Sequence, residues 1–209
     1  MENWLNIYKT SYKDLLSVTS GGEKRGLLYP LYDRSEGFQK IFELLLSKKN
    51  SNFQIIETGT LRNPGKWKEG NSGFLFSEFV KFHGGLVRSV DIDQKAVDTA
   101  NNYVDQNYFK AYQSDSVKWL QEQKDLSQID LFYLDSYDVK WQNDDPSAQH
   151  HLKEFLAIEP HLKNCIVAID DNSFLLNGQR TGKGRAIYNY LKNKSIEPLY
   201  DNYQIIYKF

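Results

Sequence analysis

Short apolar runs recur along the chain, each closing on polar residues and followed by a stretch with helical spacing. Ahead of this theme, Asn3 to Leu16 predicts a helix, and Phe38, Ile41, Phe42 and Leu45 fall on one face of a second helix near Ser35 to Leu46. The intervening GGEKRGLLYPLY reads as a loop. Strands are predicted from Phe53 to Ile56, Leu86 to Val90, Tyr108 to Tyr112, Ile129 to Leu134 and Cys165 to Ile169. Asp93 is placed to cap a helix with Ala96, Val97, Ala100 and Val104 on its inner face, and Ser114 or Asp115 to cap one carrying Val117 and Leu120. Asp145-Pro146 supplies a capping carboxylate and a first-turn proline for a helix whose buried stripe is Leu152, Phe155 and Leu156, and a further helix runs from about Lys183 to Leu191.

Strands alternating with helices imply a parallel sheet. The tail changes character, because Ile196 to Tyr200 and Tyr203 to Tyr207 are joined only by Asp201-Asn202, a connection that permits only an antiparallel hairpin. The expected fold is therefore α/β and Rossmann-like: a mostly parallel seven-stranded sheet, helices on both faces and a C-terminal antiparallel hairpin. One domain is expected, with residues 1–50 as a helical extension and 51–209 as the core.

The 209 residues with 40% hydrophobic content suit one such domain. Lysine and arginine total 26 against 27 acids, so no long-range attraction draws the chain to nucleic acid or an anionic membrane, and neither is expected as a partner. Cys165 is the sole cysteine, which excludes an intrachain disulfide and a cysteine metal cluster and makes a reducing, cytoplasmic compartment the expected home. Polar residues interrupt every apolar stretch of MENWLNIYKTSYKDLL, unlike the apolar core of a secretory signal, and no later run reaches membrane-spanning length.

In an open parallel sheet, ligands bind beyond the carboxyl ends of the strands. Here acids cluster at those ends: Glu57, then Asp91 and Asp93, Asp115 a little after the third strand, Asp135, and Asp170 with Asp171. Carboxylates gathered in one crevice repel one another, so the arrangement is costly unless a cation, ligand hydroxyls or amines bind there.

From Phe53 onward this order of elements and acids resembles the class I S-adenosylmethionine-dependent methyltransferases. Glu57-Thr58-Gly59-Thr60 is similar to the family's first motif beside the methionine moiety, Asp91 to the acid that grips the ribose hydroxyls, and Asp115-Ser116 to the pair at the adenine edge. A long loop, Leu61 to Gly73, replaces the usual compact glycine-rich one, and Ser72 and Gly73 are expected to open the next helix and offer amides to the cofactor carboxylate. Asp135-Ser136-Tyr137-Asp138 and Asp170-Asp171-Asn172 further resemble the catechol-type, metal-dependent and the macrocin-type sugar O-methyltransferases.

That resemblance implies S-adenosylmethionine as cofactor and a small hydroxylated acceptor, sugar or phenol-like, as partner. It places Asp135, Asp171 and Asn172 on magnesium, with Asp170 as the rival if the register shifts by one. The cation would lower the pKa of an acceptor hydroxyl, and Asp138, Lys140 or His150 is then the candidate base. In the metal-free alternative, Asp135 itself is the base or contacts the cofactor amino group. Side chains adjacent on a helix diverge by about 100°, which argues against joint metal binding by His150 and His151; His83 and His161 are read as solvated.

Gly178 to Arg185, with three cations, reads as a lid, an anchor for an anionic acceptor, or a solvated loop balancing nearby acids. Two other classes stay open. An NAD-dependent oxidoreductase shares the acid after the second strand, though the chain lacks a compact G-x-G-x-x-G after the first; the other class is a non-catalytic nucleotide or small-ligand binding protein. Homodimerisation is likewise left open.

Overall fold

The computed structural model describes residues 3–17, 26–27, 33–48, 51–69 and 71–209. Its sheet has the order β3-β2-β1-β4-β5-β9-β8, built from β1 (Phe53–Thr58), β2 (Gly85–Asp91), β3 (Phe109–Gln113), β4 (Leu131–Leu134), β5 (Ile166–Ile169), β8 (Tyr200–Asp201) and β9 (Ile205–Lys208). The first five are mutually parallel, β9 runs antiparallel to β5, and β8 antiparallel to β9. This is the Rossmann-like sheet with a C-terminal hairpin that the sequence predicts. The order reverses between β1 and β4, which is where a crevice opens above the sheet.

Buried apolar residues of each central strand alternate between two layers, as a sheet covered on both faces requires. Leu131 and Tyr133 pack with Phe42 and Phe76 of α3 (Ser35–Ser47) and α4 (Ser72–His83), and with Val97 of α5 (Gln94–Tyr103). Phe132 and Leu134 instead face Leu120 of α6 (Ser116–Glu122), Phe155 of α7 (Asp145–Ile158) and Ile187 of α8 (Arg185–Lys192). The N-terminal helical segment comprises α1 (Trp4–Ile7), a wider π-helical turn (Tyr8–Tyr12) and α2 (Lys13–Leu16), and it docks Trp4 and Tyr8 on Phe42. Among the described residues no helix is long and apolar enough to cross a membrane.

Asp93 and Asp115 cap α5 and α6 as expected, accepting from the amides of Lys95 and Lys118 at 2.9 Å. Several expectations need correction. The N-cap of α7 is Asp144, not Asp145, and its carboxylate serves the amide of Gly182 and the Nε of Arg185 instead of its own helix. The buried stripe of α7 holds Phe155 and Ile158 but also His151 and Glu154, while Leu156 is exposed. Polar residues take that face because the hydroxyls of Thr58, Ser116 and Ser136 serve Glu154 and the Ser147 carbonyl serves His151.

The segment read as a loop before α8 is half of a ribbon, β6 (Asn172–Phe174) pairing antiparallel with β7 (Arg180–Gly182). The closing hairpin is shorter than expected and turns through residues 202–204, because Tyr203 leaves the ladder to bury its ring beside Trp141 and Leu27. Of the predicted loop GGEKRGLLYPLY, only Gly26 and Leu27 lie within the described residues, and Leu27 bridges to Leu175. His83 is not simply solvated, since its ring packs against Phe53, Phe79 and Phe82.

Candidate functional site

The strands end on a tight weave. The Gly59 amide donates to the Val90 carbonyl at 2.8 Å and the Asp135 amide to Thr58 at 2.9 Å, binding the ends of β1, β2 and β4 together. Gly59 has φ +80°, and a Cβ there would stand 2.6 Å from the Asp135 carbonyl oxygen, so only glycine lets the chain turn at this point. Above the turn lies a cavity of about 380 Å³, within the usual range for a small-molecule site. Of the residues expected to bind a cofactor, Gly59, Thr60, Ser72, Asp91, Asp115, Ser116 and Asp135 line it. Asp138 and His150 line it too. The Asp91 carboxylate sits at the lip, oriented by the amides of Thr60 and Asp93 at 3.0 and 2.9 Å.

Glu57, Thr58 and Gly73 lie beneath this surface instead of on it. β1 continues through Thr58, so Glu57 is a buried residue of the strand and not part of its exit. Its carboxyl meets the hydroxyls of Ser72 at 2.5 Å and Ser89 at 2.7 Å. Burial pushes it up to about 8, against the pull of those hydrogen bonds. Ser89 Oγ also lies 2.9 Å from the Gly59 carbonyl, and one hydroxyl proton cannot serve both acceptors. A protonated Glu57 donating to Ser89, which donates to Gly59, satisfies every atom. Gly73 is required here because a Cβ would approach Glu57 Oε2 to 2.7 Å.

A second buried carboxylate, Glu154, was not legible as a site residue. It accepts from Ser116 at 2.5 Å, Ser136 at 2.7 Å and Thr58 at 3.1 Å, tying β1, β4 and α6 to α7. Burial works against its charged form, and His151, His150 and the Ser116 hydroxyl outweigh that, holding it below the usual range. His150 is raised in turn, chiefly by its hydrogen bond to Glu154, and its Nε2 lies 2.9 Å from Ser116 Oγ. Burial pushes His151 down to about 4, and its Nδ1 donates to the Ser147 carbonyl at 2.7 Å.

Carboxylate oxygens of Asp135, Asp170 and Asp171 come within 4.8 Å of one another. Side-chain cations already hold them. Lys183 Nζ lies 2.5 Å from Asp135 Oδ1, 2.9 Å from Asp171 Oδ2 and 3.1 Å from the Asp135 carbonyl. Arg34 reaches Asp170 at 2.6 Å and Asp171 at 3.2 Å, and the Tyr203 hydroxyl donates to Asp171. Burial pushes Asp170 up to about 7 against the pull of Arg34, whereas Lys183 and Arg34 overcome burial to hold Asp171 well below the usual range. Burial likewise raises Asp135, against the pull of Lys183.

Magnesium does not fit this donor set. Asn172, expected as a ligand, spends its amide on the carbonyls of Ile169 and Asp170 and accepts the Gly184 amide at 2.8 Å. The third oxygen of the cluster falls on Asp170, the rival residue, whose Oδ2 is taken by Arg34. Arg34 carries no local sequence signal for this role and meets its acids from a distant part of the chain, whereas Lys183 belongs to the segment whose cations the sequence offers as partners of nearby acids.

A second cavity of about 460 Å³ adjoins the first and shares Arg62, Glu69, Asp135 and Asp138 with it. Arg34, Lys183 and Trp141 also line it. Asp138 is clamped by Arg62 through two hydrogen bonds of 3.0 and 2.9 Å, which hold its carboxyl below the usual range and make it a weak base. Lys140 is exposed and lines neither cavity. The three cations of the 178–185 segment are all paired: Arg180 with Asp201, Lys183 as above, and Arg185 with Asp144 and Asp145.

No protein-family model matches the chain, and comparison with curated proteins finds no match. Among solved structures it is similar to the MycE methyltransferase of the mycinamycin biosynthetic pathway, in complex with Mg and SAH, at 18% identity over 68% of this chain and a TM-score of 0.45. The match spans about a third of that protein, 32% of its length. It is also similar to a TehB-like SAM-dependent methyltransferase from Corynebacterium glutamicum, at 13% identity over 80% of this chain and 86% of that one, with a TM-score of 0.47. A third is MtNAS in complex with MTA and tNA, at 11% identity over 98% of this chain and 70% of that one, with a TM-score of 0.42.

Proposed function

We propose that the chain is an S-adenosylmethionine-dependent methyltransferase acting on a hydroxyl of a small acceptor, without help from a divalent metal. The observation that carries this reading is the pair of adjoining cavities meeting at Asp135. The larger share of motif residues lines the first, where Asp91 offers its carboxylate to a ribose diol, and Asp115 and Ser116 stand at the adenine edge. The acceptor enters the second.

Transfer from a sulfonium is an in-line displacement, so the acceptor oxygen must face the methyl group where the two cavities join. Asp135 Oδ1 is fixed by Lys183, while among the described residues no hydrogen bond engages Oδ2. Oδ2 takes the acceptor proton as the new O–C bond forms and the S–C bond breaks, leaving a neutral thioether. Burial favours this step by making Asp135 a stronger base than a solvated aspartate.

Calorimetric titration with S-adenosylmethionine, S-adenosylhomocysteine and NAD tests the reading. Binding of the first two but not NAD is expected, with Asp91→Ala weakening it about tenfold or more, roughly 1.4 kcal/mol. Methylation of a panel of phenols and sugars should disappear in Asp135→Asn with cofactor affinity retained. Preference for NAD, or full activity of Asp135→Asn, would end the proposal.

A further inference from the structure

The segment that carries Lys183 is built to deliver it. Gly182 has φ +113°, and a Cβ there would collide with the Asp171 carbonyl at 2.2 Å; one on Gly184 would stand 2.5 Å from Asn172 Oδ1. Backbone therefore lies flat against residues 171–172, and it is pinned on both sides of the lysine. The Gly182 amide bonds to Asp144, the Lys183 amide to the Asp171 carbonyl at 3.0 Å, and the Gly184 amide to Asn172. The lysine side chain is only 2% exposed, and its three protons are matched by three oxygens.

We infer that Lys183 is a resident cation that takes the position a divalent metal would need, so the native protein binds no such ion at the Asp135–Asp170–Asp171 cluster. Magnesium and manganese require oxygen ligands in their own shell, and magnesium demands them at about 2.0–2.1 Å. Asp135 Oδ1, the Asp135 carbonyl and Asp171 Oδ2 already face the ammonium and Asp170 Oδ2 the Arg34 guanidinium, which among the described residues leaves only Asp135 Oδ2 and the buried Asp170 Oδ1 without a hydrogen bond, too few for a metal's shell. To enter, a metal would have to expel a buried charge that has no other acceptor, and breaking a buried ion pair is strongly unfavourable. Removing the lysine reverses the balance, leaving three carboxyls with one guanidinium beside a gap lined by oxygen. The inference does not depend on methyl transfer.

The test titrates the full chain with manganese alone, followed by calorimetry and by the electron paramagnetic resonance of the free ion. The native protein and Lys183→Arg should show no site tighter than about 1 mM, whereas Lys183→Ala should bind manganese at least about tenfold more tightly, with a melting temperature that rises with manganese. A second substitution, Asp171→Asn, should remove the new site. Stoichiometric manganese binding by the native protein that a folded Asp171→Asn abolishes would overturn the inference. A folded Lys183→Ala that gains no manganese site would overturn it equally.

Discussion

Replacing Glu57 with glutamine should stabilise the protein at neutral and alkaline pH. The folded carboxyl has its pKa raised by burial from 4.5 to about 8, so between these values the native state holds a proton that the unfolded chain has released. Stability conferred by the neutral form is complete below the unfolded pKa and falls as pH rises, levelling off above the folded one. Each pH unit within that window costs about 1.4 kcal/mol, so between about pH 5 and pH 8 the wild type should lose roughly 3 to 4 kcal/mol that the glutamine variant keeps. The amide also fits the local geometry. Its oxygen accepts from Ser72, and its nitrogen donates to Ser89, which then donates to Gly59.

Urea denaturation of both proteins by circular dichroism across this range cancels the groups they share and isolates Glu57. The difference should be small near pH 5 and grow toward pH 8. Parallel profiles would refute the reasoning, because they would mean that Glu57 is ionised in the folded protein. A collapse of S-adenosylhomocysteine binding in Glu57→Gln, with stability intact, would return a charged Glu57 to the first cavity.

Gly59→Ala should cost about 2 kcal/mol or more by the same denaturation assay, since alanine must adopt a positive φ and push against the Asp135 carbonyl; a loss under about 0.5 kcal/mol would mean the strand ends are not held as described. Glu154→Gln should lower the pKa of His150, followed by ring-proton magnetic resonance, because Glu154 is the main group raising it. An unmoved titration would detach His150 from Glu154.

How far the sequence revealed this site depended on whether a residue's partners were near or far along the chain. Apolar runs such as Leu131 to Leu134 declare a buried strand wherever they occur, and Asp93 and Asp115 announce caps because the amides that donate to them lie two or three residues away. Glu57 announces only an acid near the end of an apolar run. Its neutrality comes from Ser72 and Ser89, which other elements supply, and no local rule separates it from Asp91, an acid that does reach the cleft. Glu154 carries no signal for the same reason. Helical periodicity assigns the buried stripe to Leu152, Phe155 and Leu156, yet three hydroxyls from elsewhere make a glutamate on that face admissible. Arg34 meets Asp170 only because the extension before the sheet folds across its carboxyl edge.

The acids at the sheet's carboxyl edge meet four separate fates, and the division bears on which ligand each cavity can take. Glu57 is neutralised by its own proton, Glu154 by hydroxyls and a histidine, and the Asp135–Asp170–Asp171 group by Lys183 and Arg34. Asp91 and Asp115 have backbone amides but no ion pair among the described residues. Negative charge without an internal counter-ion is thus confined to the first cavity, where it lowers the free energy of a bound cation. The second cavity, with Arg62 on Asp138 and Lys183 on Asp135, is balanced and gives an acceptor no reason to carry charge. A cationic donor on one side, an uncharged hydroxyl on the other and Asp135 between them is the polarity an oxygen-directed methyl transfer needs, so an acceptor with a strongly anionic group should bind more weakly than its neutral analogue. A preference for anionic acceptors in competition assays would mean that the ion pairs of the second cavity open on binding, and the proposed division of labour between the cavities would fall.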